Sequence, residues 1–416
     1  MFVVTLPSIM KYDTYTLANG LRVIHLPSDS SVVYCGYQLC AGFRDEVIGE
    51  EGLAHFCEHT TFKGTTRRCS WHVLNCLESV GGDVNAYTNK EDTVFYAAIL
   101  KEHVERAVDL LSDIVFHSVY PQGEIEKEVE VICDEIESYN DSPAELIYDE
   151  FENMVFEGHP LGHNILGNAD RVREYTTADA LRFTKRYYHP ANAIFFSYGN
   201  IDFQRLVMLL EKHTRNVEVM PAKVHKATPL TEVKPVKRVV EKGTHQAHVM
   251  LGTRSYSIHD ERRIVLYLLN NILGGPGLNA KLNLSLREHN GLVYTVESSM
   301  VSYGETGLWS TYFGCDQKNV DKCLRLVRHE LDKVVHTPLT PLQLTKAKKQ
   351  IKGQIGVACD NRETFALSFG KSFLHYGWER DVNQLFRDID GVTAERIQEV
   401  AADMFSPSKL FTLIYR

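Results

Sequence analysis

The sequence predicts an α+β protein: two similar α+β domains, each a mixed or antiparallel sheet flanked by helices, related by duplication. Three observations predict it. The chain has 416 residues, more than one hydrophobic core sustains, since single cores stop growing near about 250 to 300 residues. Strand-type alternation and helical periodicity are mixed within each half instead of being segregated. The order of elements in the first half also returns in the second.

The first element is a hairpin. YDTYTL alternates, Asn19-Gly20 supplies a tight turn and LRVIHLP returns. Further β-rich runs are 32–42 and 92–100, while 103–117, 124–139 and 176–188 carry helical periodicity. Residues 217–235 dissolve into a polar stretch punctuated by Pro221, Pro229 and Pro235, which reads as a linker between domains 1–216 and 236–416. Beyond it, QAHVMLGTRS echoes YCGYQLCAGFRD, 309–331 echoes 95–114 in strand-to-helix order, and 341–357 is the counterpart of 124–139. RRIVLYLLNNILGG stands where the first half has GLAHFCEHTTFKG, and it holds no His or Glu after Arg263. The two halves therefore cannot share one chemistry.

Composition excludes several classes. With 44% hydrophobic and 24% charged residues, the chain can form a sizeable core and is not disordered. The net charge of −9, with no basic cluster interleaved by aromatics, argues against nucleic acid as a partner. No run reaches the roughly 18 apolar residues that a membrane span needs, and the opening residues do not read as a signal peptide, so a cytoplasmic protein is expected. Nine scattered cysteines, never spaced C-x-x-C, suit reduced thiols better than a disulfide framework or a thiolate zinc site.

One constellation carries chemistry. In GLAHFCEHTTFKGT, His55 and His59 lie four apart, about 40° from each other round a helix, close enough to share an ion. Neutral imidazoles suit Zn²⁺. Glu58, about 60° round from His55, can take a proton from an activated water without ligating. The order H-x-x-E-H is the inverted-zincin signature, although 18 histidines make a chance match conceivable and context has to decide. A catalytic zinc takes a third protein ligand. On EIEKEVEVICDEIESY an apolar stripe of Ile125, Val129, Ile132, Ile136 and Tyr139 is flanked by Glu128 and Glu135, seven apart and within about 20° of each other. Periodicity alone leaves open which of the two faces the metal.

Here the chain resembles the pitrilysin and insulinase family of metalloendopeptidases, in the branch of processing peptidases and their shorter bacterial relatives. The resemblance spans essentially the whole chain through AGFRDE (41–46), HFCEHTTFKGT (55–65), GGDVNAYTNKEDTVFY (81–96), EVEVICDEI (128–136), HPLGHNILG (159–167) and LREHNGLVYTV (286–296). It implies one zinc per chain held by His55, His59 and Glu135, with Glu128 supporting a ligand and Glu58 as general base. It implies an edge strand, Asn85, Ala86, Tyr87 and Thr88, to which an extended substrate adds. It implies that Arg287 and Tyr294 hold the substrate carbonyl and the developing oxyanion. Relatives of this length work as clamshell dimers. A chain carrying both residue sets is expected to be a homodimer acting on short or unfolded peptides, with Arg287 and Tyr294 supplied in trans. The competing expectation is a non-catalytic partner subunit, but such chains typically lose part of the zinc set.

Other candidates read as structural. His159 and His163 flank Pro160 and Gly162, which forbid a regular helix there. Cys57 projects about 160° from His55, as a buried thiol would. Gly274-Gly275-Pro276-Gly277 lacks the Lys-Ser/Thr of a phosphate loop and reads as a turn.

Overall fold

The computed structural model describes residues 11–221 and 228–416, so the middle of the expected 217–235 linker lies outside the described residues. Among the described residues, eleven strands form two sheets. The first takes β1 (Asp13–Thr16), β2 (Arg22–Pro27), β3 (Val32–Leu39), β4 (Asp83–Thr88), β5 (Thr93–Leu100) and β6 (Ala193–Gly199) in the order β1-β2-β6-β3-β5-β4. The second takes β7 (Lys237–Val240), β8 (Gln246–Ser255), β9 (Val293–Ser302), β10 (Gly307–Asp316) and β11 (Phe411–Tyr415) in the order β7-β11-β8-β10-β9. The hairpin forms where the sequence places it, with Gly20 at φ +88 in its turn.

The duplication is visible in the topology. The run β2-β6-β3-β5-β4 has one parallel pair followed by three antiparallel pairs, and β7-β11-β8-β10-β9 repeats that series of senses. Each β5-type strand is followed by two long helices, Val104–His117 and Gln122–Asn140 in the first copy, Val320–His336 and Pro341–Cys359 in the second. The helix Arg262–Gly274 replaces Leu53–Thr61 and brings no metal-type side chain.

Contacts divide the chain into two compact units that no single cut can produce. One comprises the described residues within Met1–Ser138, His163–Lys226 and Val357–Asp381; the other comprises those within Tyr139–Gly162, Ala227–Gly356 and Val382–Arg416. The helix Pro143–Val155 from the first copy packs on β8 and β11, and Arg362–Tyr376 from the second packs on β3 and β6. The exchange is reciprocal, each helix being the element that follows the second long helix of its copy.

In the first unit a core of Tyr37, Phe56, Phe95, Leu111, Ile132, Phe183 and Phe195 joins the sheet to its helices. The second unit has its own cluster around Phe151, Phe156, Met250 and Leu413. Among the described residues no helix is long and apolar enough to cross a membrane, and none of the nine cysteines is in a disulfide.

Candidate metal centre

The helix Leu53–Thr61 begins at Gly52, whose φ of +83 and closeness to the Leu166 carbonyl, 2.6 Å from where a Cβ would sit, both require glycine. Its first turn is capped at a distance: Glu46 accepts from the backbone N–H of Gly52 at 3.0 Å and of Ala54 at 2.8 Å. His163 Nε2 lies 3.3 Å from the same carboxylate and 2.8 Å from the Phe43 carbonyl oxygen. Burial raises Glu46 to about 7, against the pull of His163 and the two amides. Leu53, Ala54, Phe56 and Cys57 are buried; full burial of Leu53 and Phe56 contributes about 1.5–3 kcal/mol each, which fixes the helix against the core.

That packing sets His55, Glu58 and His59 on one face. Across from them the stripe Ile125, Val129, Ile132 and Ile136 is buried as the sequence predicts, and it aims both flanking acids at the histidines. His55 Nε2 is 3.8 Å and His59 Nε2 3.4 Å from the Glu135 carboxylate. One ligand atom from each of His55, His59 and Glu135 lies within 4.8 Å of the others. Ligands of a tetrahedral zinc at about 2.0–2.1 Å sit roughly 3.3 Å apart, so these atoms need only small movements to close on an ion. Two imidazoles and one carboxylate are the donor set of a catalytic zinc site, in which a bound ion would keep its fourth position for water.

Glu128 does a different job from Glu135. It accepts from His59 Nδ1 at 3.1 Å and pairs with Lys63 at 2.5 Å, which in the neutral ring fixes the tautomer whose Nε2 lone pair faces Glu135. Lys63, four residues after His59, carries no sequence signal beyond that spacing. His55 is lowered to about 4 by burial, and further by the neighbouring charge of His59. Burial would lower His59 too, but hydrogen bonds to Glu128 and Glu135 and the charge of Glu58 outweigh it and raise it to about 9. In the metal-free protein at neutral pH, one imidazole is thus ready to ligate and the other carries a proton that a metal would displace. Burial also raises Glu58, a shift held back by the hydroxyl of Thr88, which donates to Glu58 Oε2 at 2.7 Å.

The strand carrying Asn85, Ala86, Tyr87 and Thr88 is β4, at the edge of the first sheet, with β5 as its only partner among the described strands. Its side chains divide by face: Val84 and Ala86 pack on the core and Thr88 turns to Glu58 on that side, while Asn85 and Tyr87 alternate to the other. Arg287 and Tyr294 belong to the second unit. Arg287 lies in the π-helical segment Asn283–Glu288, its guanidinium 5.9 Å from the Tyr294 ring centroid, and Tyr294 is 84% exposed at the start of the edge strand β9. Cys57 is buried. His159 lies 3.5 Å from Glu305 in the second unit, whereas His163 lies in the first unit beside Glu46 and the Phe43 carbonyl.

With this geometry in place, the comparisons decide the family. Residues 23–169 match the model of the insulinase family, peptidase family M16, and residues 174–351 match the model described as the peptidase M16 inactive domain. The uncharacterized zinc protease YmxG of Bacillus subtilis is 30% identical over 404 residues, covering 96% of this chain and 97% of that protein. This chain belongs to peptidase family M16. Another relative, the uncharacterized zinc protease SCO5738 of Streptomyces coelicolor, is 31% identical over 94% of this chain and 86% of its own length. Among solved structures, a protease from Helicobacter pylori superposes with a TM-score of 0.90 at 21% identity, covering 98% of this chain and all of that one. A peptidase M16 inactive domain from Pseudomonas fluorescens also reaches 0.90, at 18% identity over 98% of each chain. These two likenesses bear on fold alone. Of the M16 models, the one described as inactive covers the half whose helix Arg262–Gly274 lacks metal-type side chains.

Proposed function

We propose that the protein is a zinc-dependent endopeptidase that hydrolyses short or unfolded polypeptides, with His55, His59 and Glu135 as the metal ligands and Glu58 as general base. The observation that carries this reading is the convergence of the three ligand atoms on one point beside Glu58. When bound, the zinc would supply Lewis acidity towards the scissile carbonyl and the attacking water. Glu58, its pKa raised towards the working range by burial, takes the water proton and returns it to the leaving amine. The side of β4 away from β5 has no partner strand among the described residues, and an extended peptide can add there as a further strand along Asn85–Thr88. Arg287 and Tyr294 hold the substrate carbonyl and the oxyanion, supplied to each zinc unit by the partner of a homodimer. Nine cysteines with no disulfide among them support a reducing, cytoplasm-like compartment.

The test is incubation of purified protein with a peptide mixture, with and without a chelator, beside Glu58→Gln. Cleavage should need the metal and fall by about 10²–10⁴ in the variant, the usual contribution of a general base. Equal behaviour of both proteins, each with zinc bound, would leave a non-catalytic subunit as the better reading.

A further inference from the structure

We propose that Thr88 is a positioning residue for Glu58, a role different from binding substrate along the edge strand; this rests on Glu58 being the base. Thr88 ends β4 and Thr93 begins β5, and the two face each other across the pair. Thr93 is fully buried and donates to the Ala41 carbonyl at 2.8 Å. The Thr88 and Thr93 oxygens are 3.3 Å apart. Each hydroxyl has one proton. Because the proton of Thr93 is committed to Ala41, that of Thr88 is left for Glu58, to which it donates at 2.7 Å.

The turn behind this pair is tied down several times over. Asn89 donates its backbone N–H to Asp92 at 2.8 Å, while Phe43 and Arg44 donate theirs to the carbonyls of Asn89 and Lys90 at 3.3 and 3.1 Å. Gly42 permits this approach, since a Cβ there would overlap the Asn89 and Lys90 carbonyls. Asp92, fully buried, is held by Lys371 at 2.8 Å. A hydroxyl on so fixed a turn selects one rotamer of Glu58: Oε2 is anchored to the sheet, and Oε1 is left as the oxygen that receives the proton. A glutamate on a helix face without such an anchor would sample rotamers that point it away from the reacting atoms.

The experiment compares Thr88→Val, which keeps shape but removes the donor, with Thr88→Ser, which keeps the donor. Peptidase kcat and KM are measured per bound zinc, together with zinc content, zinc affinity by chelator competition and the thermal midpoint. Thr88→Val should lose about tenfold or more in kcat with KM, zinc affinity and metal content near wild type, and Thr88→Ser should recover most of the loss. Thr88→Ala, which also removes the donor, gives a second reading if Thr88→Val does not fold, with a loss expected in the same parameter. Unchanged kcat in the variants that lack the hydroxyl overturns the inference. So does a rise in KM alone, which would make Thr88 a substrate contact, and so does a loss of zinc that accounts for all lost activity. If wild type itself shows no chelator-sensitive cleavage, the reading of the protein as a peptidase falls first, and the two failures are told apart.

Discussion

Replacing Glu128 with alanine tests how the centre is built. Glu128 is the partner of His59 Nδ1, at 3.1 Å, and is itself held by Lys63. Removing it frees the imidazole to rotate and leaves its tautomer unspecified. Loss of such a supporting carboxylate costs about 10–100-fold in metal affinity, on the order of 1.4–2.7 kcal/mol. A second effect has the opposite sign. Hydrogen bonding to Glu128 is among the causes that raise His59 to about 9 in the metal-free protein, so at pH 7 a metal must displace a proton to bind. Glu128→Ala lowers the cost of that displacement as well. The affinity deficit should therefore be partly masked at pH 7 and emerge more fully above pH 9, where most of wild-type His59 is neutral. Zinc dissociation constants at pH 7.0 and pH 9.5, measured against a competing chelator, decide it. A deficit larger at pH 7.0 than at pH 9.5, or none at pH 9.5, would refute this account of Glu128.

Three other outcomes follow from the same geometry. The charges of Lys371 and His375 hold buried Asp92 well below the usual carboxylate range, against the upward push of burial; its contribution to stability is therefore full above the unfolded value of about 3.9 and is lost as pH falls towards the folded one. Asp92→Asn should accordingly flatten the acid limb of the unfolding midpoint against pH, followed by circular dichroism, and an unchanged acid limb would count against that ion pair. Gly42→Ala should destabilise the protein by about 1–3 kcal/mol in urea unfolding through overlap with the Asn89–Lys90 peptide. Gly353→Ala, in an open helical position with nothing near its Cβ, should stabilise it by about 0.5–1 kcal/mol, and equal effects would contradict the packing. If Arg287 and Tyr294 act in trans, mixing Glu58→Gln with Tyr294→Phe subunits should restore cleavage through one intact site per heterodimer, and no recovery despite subunit exchange would argue against it.

Much of the architecture was legible in the residues because the signals are local. Asn19-Gly20 dictates its hairpin, the repeat of strand-to-helix order announces a duplicated unit, and the i, i+4 histidines must share a helix face. The choice between Glu128 and Glu135 was not local. Both flank the same stripe, and only the docking of Gln122–Asn140 against Leu53–Thr61 separates the residue near both Nε2 atoms from the one behind His59. The exchange of Pro143–Val155 and Arg362–Tyr376 between units was invisible, since an amphipathic helix specifies an apolar partner without naming it. The cap from Glu46 and the donation by Thr88 were hidden for a similar reason. Each joins polar groups that are remote in sequence or on different elements, and nothing at residue 88 distinguishes a threonine facing an incoming strand from one facing Glu58.

The central claim is that His55, His59 and Glu135 close on one zinc ion. Anomalous diffraction at the zinc edge, from crystals of protein loaded with one equivalent of zinc, tests it most directly. The account predicts a single strong peak about 2.0–2.2 Å from Nε2 of each histidine and from an oxygen of Glu135. A peak lying elsewhere, or one that reaches Glu128 while Glu135 stays out of bonding distance, would contradict it.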